Sequence, residues 1–273
     1  YIGQIRKYMS YCSAVRFGDI AAPAFQSMEL KNVSFGYVPG KTVLSNISMK
    51  INRGEKIAIV GYNGAGKSTL INLLLHLYNP EQGEILYNGK SIEEFDSASI
   101  HSRIGVVLQD YRIFALPLSE NVLRDKFEES DESRIRYALE NACFEGKLQT
   151  LPDGICSEMT KEFYKDGVNL SGGESQKVAI SRIFASPFDV IIMDEPSAAL
   201  DPKAEHDLSI NLAKHAKGKT VIIISHRLST TCAMDKIYMF DGGKIIEEGS
   251  HSELMEAGGK YAHIFNMQAE KYQ

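Results

Sequence analysis

The chain has 273 residues, of which 44% are hydrophobic and 24% charged, and it carries a formal net charge of −5. This is the composition of a folded globule with room for one large α/β domain or a domain with a subdomain, and its acidic balance speaks against nucleic acid as a main partner. No apolar run approaches the roughly 18 residues of a membrane-spanning helix, so these residues are not expected to cross a bilayer themselves. A start at Tyr1 rather than Met reads as a piece of something longer, and neither a secretory nor a lipidation signal is visible. Cys12, Cys143, Cys156 and Cys232 form no C-x-x-C pair that would suggest zinc or redox chemistry; reduced thiols of a cytosolic chain are the expectation.

Over residues 1–17, Ile2, Ile5, Met9 and Cys12 recur at helical spacing, with Phe17 a candidate for the same stripe. The segment reads either as a surface helix or frayed terminus, or as a connector descending from an upstream domain. Ala21-Ala22-Pro23-Ala24 ends it, because proline terminates helices and restricts its predecessor. From Met28 the period becomes two. Leu30, Val33 and Phe35, then Val43, Ile47, Met49 and Ile51, alternate with polar residues on either side of Pro39-Gly40, as antiparallel strands do. Tyr37 stands at the end of the first strand, where a ring serves core or edge packing, with a nucleotide contact as the other reading.

Lys56-Ile57-Ala58-Ile59-Val60 predicts a buried strand, and Leu70, Ile71, Leu73, Leu74, Leu75 and Leu77 predict a core helix. Between them, Gly61-Tyr62-Asn63-Gly64-Ala65-Gly66-Lys67-Ser68-Thr69 fits the phosphate-binding template G-x-x-x-x-G-K-[S/T] at every fixed position. Glycines let the backbone approach a triphosphate, and the helix start adds about half a positive charge to the same spot. Lys67 is placed to reach the β- and γ-phosphates and Ser68 to offer its hydroxyl to Mg²⁺.

Gly83 to Gly89 predicts a strand with an Asn-Gly turn, and Ile104-Gly105-Val106-Val107-Leu108 another strand, with Gln109 at the carboxyl end where open parallel sheets bind ligands. Residues 110–185 read as an inserted helical subdomain, with a helix start at Ser130-Asp131-Glu132-Ser133. Within it, Leu170-Ser171-Gly172-Gly173-Glu174 opens a helix carrying Val178, Ala179, Ile180, Ile183 and Phe184; that opening is either a second anion-binding start or a plain cap. Val190 to Met193 predicts a strand buried on both faces that runs into Asp194-Glu195, two carboxylates too costly to bury unless a cation or a reaction needs them. Ser197-Ala198-Ala199-Leu200-Asp201 leads to a further helix, and Thr220 to Ile224 makes a strand ending at Ser225-His226. A hairpin across Asp241-Gly242-Gly243 and closing helices from Ser250 and Lys260 complete the chain.

Glycine loop, Gln109, LSGGE at 170–174, VIIMDE at 190–195, SAALD at 197–201 and His226 occur in the order found in ATP-binding cassette (ABC) ATPases, and from about residue 28 to the carboxyl end the chain resembles that family. The resemblance implies an α/β P-loop NTPase fold: a mixed, mainly parallel sheet core, an antiparallel β subdomain and the inserted helical subdomain. It divides the chain into a connector, residues 1–24, from a transmembrane domain of the same polypeptide, and a nucleotide-binding domain, residues 25–273. It implies ATP and Mg²⁺ as ligands. Tyr37 matches the ring that stacks on adenine. Gly61, Asn63, Gly64, Ala65, Gly66, Lys67, Ser68 and Thr69 match the phosphate cradle, and Ser68, Gln109 and Asp194 the metal set. Of the residues matching catalytic positions, Glu195 matches the general base, Gln109 the residue that senses Mg²⁺ and the attacking water, His226 the γ-phosphate contact and Lys67 the phosphate ligand. In such proteins two cassettes trap ATP between them, so Ser171, Gly172, Gly173 and Asp201 would act across a dimer.

The expected function is ATP hydrolysis powering an exporter at the cytosolic face of a membrane. The alternatives are an ABC ATPase acting on DNA or ribosomes and a separate importer subunit. Two departures stand out. Residues 160–167 read Thr-Lys-Glu-Phe-Tyr-Lys-Asp-Gly where exporters of the multidrug type usually carry Glu-Arg-Gly, and Glu174 replaces the commoner Gln.

Overall fold

The computed structural model describes residues 15–196, 200, 202–226 and 231–270. A four-stranded antiparallel sheet in the order β2-β1-β4-β5 is formed by β1 (Ser27–Phe35), β2 (Leu44–Asn52), β4 (Gln82–Tyr87) and β5 (Lys90–Ser91). A six-stranded sheet holds the centre: β3 (Lys56–Gly61), β6 (Ile104–Val107), β7 (Val190–Asp194), β8 (Thr220–Ile224), β9 (Lys236–Asp241) and β10 (Lys244–Gly249), in the order β10-β9-β3-β8-β7-β6. All its neighbouring pairs are parallel except the β9–β10 hairpin. The α/β architecture expected from the sequence is the one found.

Strand alternation explains the layers. Ile57, Ile59, Ile192, Ile222, Ile224, Tyr238 and Phe240 face one core, shared with the antiparallel sheet and with α1 (Lys67–Leu74). Ile191, Met193 and Val221 face the opposite way, into the helical layer. Ala58, Val60, Ile237 and Met239 pack against α8 (His251–Ala257) and α9 (Lys260–Glu270) through Leu254 and Tyr261. A sheet covered on both faces needs aliphatic residues on both, hence the unbroken runs.

Between β5 and β6 lies α2 (Ser97–Arg103), capped by the Asp96 carboxylate, which accepts from the N–H groups of Ala98 and Ser99. The helical layer contains α3 (Leu118–Leu123), α4 (Glu132–Asn141), α5 (Glu145–Leu148) and α6 (Gly172–Phe184). Arg182 on α6 donates to the carbonyls of Asn121 and Arg112, at 2.9 and 2.8 Å, and so ties the segment after Gln109 to that helix. Helix α7 (Pro202–His215) joins β7 to β8.

Two sequence expectations are corrected. Helix α1 stops at Leu74, and Leu77 is exposed rather than core, because His76 takes a positive φ of 51° and turns the chain away. The helix start expected within Ser130-Asp131-Glu132-Ser133 is found: α4 begins at Glu132, directly after a short 3₁₀ turn over Glu129–Asp131 capped by Glu128. Phe17 lies outside any helix: its ring stands edge-on to His76, centroids 4.7 Å apart. The rest of the proposed stripe, Ile2 to Cys12, falls outside the described residues.

Gly105 shows how tightly the helical layer is seated. A Cβ there would lie 2.4 Å from the ring of Phe188, which is 4% exposed. Gly105→Ala is expected to destabilise the fold by about 1–3 kcal/mol, the usual cost of overpacking. A denaturant midpoint that shifts with an unchanged slope is the measurement that checks it.

Candidate functional site

Parallel strands deliver their exits to one edge. Register sets the depth: Asp194 pairs with Ile224, and Ile224 with Ile59, so the ends of β7, β8 and β3 arrive level. The residues after them, Glu195, His226 and the glycine loop, therefore meet at the carboxyl edge of the sheet.

The loop is shaped by its last glycine. Gly66 is the N-cap of α1 with φ 99°, a backbone that L side chains rarely adopt, and a Cβ there would lie 2.6 Å from Leu44. No side chain caps α1 and no acidic residue lies in its first turn, which leaves its leading N–H groups to an anion. Lys67 curls back to donate to the carbonyls of Gly61 and Tyr62, at 2.8 and 3.0 Å. Burial pushes its ammonium pKa down, and Glu195 and Asp194 pull it up.

Ser68 Oγ donates to Asp194 Oδ2 at 3.3 Å. Asp194, 6% exposed, has its pKa pushed up by burial and by the neighbouring Glu195, against the hydrogen bond from Ser68 and the charge of Lys67. Glu195 has φ 51°, a left-handed backbone unusual for a non-glycine residue, held by its N–H to Ile224 O at 2.9 Å. Such a conformation costs of order 1 kcal/mol, and strain of this kind clusters at working sites. The Glu195 carboxylate accepts from His226 Nδ1 at 2.9 Å, and this bond places the neutral ring's proton on Nδ1.

Asn63, Gly64, Gly66, Lys67, Ser68, Thr69, Gln109, Asp194 and Glu195 thus line one cavity. Asn63, Gln109 and Glu195 also line an adjoining one, together with Gly61 and His226. Ala65 is buried beneath the loop. Tyr37 stands beside this group: its hydroxyl lies 3.3 Å from Thr69 Oγ1 and accepts from Asn72 at 3.0 Å, while its ring, half exposed, packs edge-on to Phe35 and Tyr78. Ser171, Gly172 and Gly173 line neither cavity, and Ser171 and Gly172 are exposed. Ser171 is a cap in the plain sense too, since Ser171 and Glu174 satisfy each other's N–H groups in a capping box. Asp201 lies outside the described residues.

Sequence reasoning missed Gln176, whose Nε2 donates to the Glu195 carbonyl at 3.3 Å. Its signal was present: it is a polar residue on the buried face of α6, in step with Ala179, Ile180 and Ile183. It also missed Tyr111, whose hydroxyl donates to Gly172 O at 2.9 Å and so links the segment after Gln109 to the start of α6.

A family model described as "ABC transporter" matches residues 44–198. The "Putative multidrug export ATP-binding/permease protein YgaD" of Bacillus subtilis (strain 168) is 36% identical over 242 residues, covering 88% of this chain and 41% of that protein. An "ATP-dependent lipid A-core flippase" of Alcanivorax borkumensis is 34% identical over 248 residues, 91% of this chain and 42% of that one. The chain therefore spans about two fifths of the length of these curated relatives. Among solved structures, "a bacterial Atm1-family ABC exporter with ATP bound" superposes with a TM-score of 0.87 and 32% identity, over 98% of this chain and 46% of that one.

Proposed function

Because the chain belongs to the ABC transporter family, we propose that it binds and hydrolyses ATP as the nucleotide-binding domain, about residues 25–273, of an exporter. The observation that carries this is the convergence of the phosphate loop, Gln109, Asp194, Glu195 and His226 on adjoining cavities at one sheet edge. Phosphoryl transfer asks a protein mainly for positioning and charge neutralisation. Lys67 and the open start of α1 supply the positive field for the phosphates. Tyr37 offers its exposed ring to the adenine.

The donor set fits Mg²⁺. A hydroxyl and a buried carboxylate in contact, with a second carboxylate next in sequence, are hard oxygen ligands short of positive charge. Ser68 and Asp194 would hold the ion with Gln109 beside them, and when bound it neutralises charge growing on the terminal phosphate. Glu195 is the base that takes the proton of the attacking water, and His226, donating through Nδ1, holds its carboxylate in position; contact from Nε2 to a phosphate oxygen requires the doubly protonated ring.

Ser171 and Gly172, exposed and off the cavity, suit contact with the nucleotide of a second copy, and Asp201 is assigned to the same seam. The longer relatives, one of them named "ATP-binding/permease", support a transmembrane domain in the same polypeptide, reached through residues 1–24 and placing this domain at the cytosolic face. Names that speak of export and flipping favour the exporter over a DNA- or ribosome-directed ATPase or an importer subunit.

The test is phosphate release by the whole purified polypeptide. Turnover is expected with Mg²⁺, to fall at least about 100-fold on chelation and to return when Mg²⁺ is restored. Hydrolysis that persists under chelator, or none at all with the ion present, rejects the reading.

A further inference from the structure

One wall of the site comes from no motif. The cavity of about 600 Å³ beside the phosphate loop is bounded by Tyr62, Gln109, Glu195 and His226 together with Ile264 and Gln268 of α9. These two residues are one helical turn apart and so share a face. Gln268 Nε2 donates to the backbone carbonyl of His226 at 2.7 Å. Further along the segment that carries His226, Thr231 Oγ1 shares a 2.7 Å hydrogen bond with the hydroxyl of Tyr261, a fully buried residue that His251 Nδ1 also contacts at 2.8 Å. Helix α9 therefore bonds both His226 and Thr231. Its first residue meets the phosphate loop as well: the Lys260 ammonium lies 5.4 Å from the Tyr62 ring centroid and pairs with Asp241 at 2.6 Å.

The His226 side chain is 52% exposed, and the Glu195 carboxylate it must meet is 14% exposed. A half-exposed imidazole two residues past the end of a strand is aimed by its own backbone, and its peptide plane is set by whatever binds the carbonyl. Here that group is Gln268. We propose that α9 positions the hydrolytic machinery and that Gln268, acting through His226, keeps the imidazole against Glu195. This rests on the roles of Glu195 and His226 proposed above. Gln268 is a positioning residue, without a part in the chemistry of its own.

The experiment uses the whole polypeptide and compares Gln268→Met, which keeps length but loses the donor, with Gln268→Arg, which keeps a donor, and with His226→Ala. Gln268→Met is expected to lower kcat about tenfold with KM for ATP unchanged, as a small misplacement of a working group does. Gln268→Arg should recover most of the rate. In the His226→Ala background, Gln268→Met should cost nothing further, because both changes remove one function. Parent-like turnover of Gln268→Met, an equal loss in Gln268→Arg, or losses that multiply in the double variant would each overturn the proposal. If His226→Ala itself turns over like the parent, the reading of His226 fails, and this inference with it; if His226→Ala is slow and Gln268→Met is not, only the inference falls.

Discussion

Glutamine in place of Glu195 is expected to lower steady-state ATP turnover by about 10²- to 10⁴-fold, the range for loss of a general base, while ATP affinity stays within about threefold of the parent. The substitution is nearly isosteric. It leaves the Glu195 N–H bond to Ile224 and the Gln176 bond to the Glu195 carbonyl untouched, so the backbone at φ 51° keeps its supports. What goes is the negative charge that draws the His226 Nδ1 proton and that would take a proton from water. A second effect runs through Asp194. Glu195 helps hold the Asp194 pKa up, so neutralising it removes a like charge beside the carboxylate that would face the cation. Binding should therefore survive or tighten as hydrolysis fails. Parallel measurement of phosphate release and nucleotide binding checks this, and unchanged release would remove Glu195 from the role of base.

Lys67→Ala should fail at the earlier step. In the structure the ammonium bonds two carbonyls of its own loop, Gly61 and Tyr62, both of which border a cavity where water can replace it, so the fold loses little when it goes. A bound triphosphate loses a buried, charge-assisted partner, and faces Asp194 and Glu195 with one positive charge fewer beside it. Hydrogen bonds to charged groups contribute about 1.5–3 kcal/mol, so ATP affinity should fall about 10- to 100-fold or more, with the melting temperature nearly unchanged. A nucleotide titration beside a thermal melt separates the two effects. Parent-like affinity would show that Lys67 does not reach the phosphates. The pair of variants thus distinguishes a site that binds without reacting from one that cannot bind.

The sheet was legible because its residues answer to local rules. Val190 to Met193 is a short aliphatic run, and only a strand covered on both faces asks for that. The phosphate loop was legible because few sequences place glycines, lysine and serine in that order between a strand and a helix. What escaped depends on distant partners. Leu77 continues the apolar density of α1, but a positive φ at His76 ends the helix before it. Phe17 suits a helical stripe, yet its ring goes to His76, far along the chain. Gln268 sits in the last turns of an ordinary amphipathic helix, and nothing nearby says that its amide reaches a carbonyl 42 positions earlier. Gln176 could have been found, since a polar residue in step with a buried face wants a partner.

Helix α6 has one end in solvent and a grip on the core. Its opening turn carries Ser171 and Gly172 and is braced by the Lys147–Glu174 ion pair at 3.3 Å, while one turn further in Gln176 holds the carbonyl of Glu195. A rod anchored this way acts as a lever. A contact made at its outer tip would be joined to the peptide that bears the carboxylate by one helical turn and a single amide hydrogen bond.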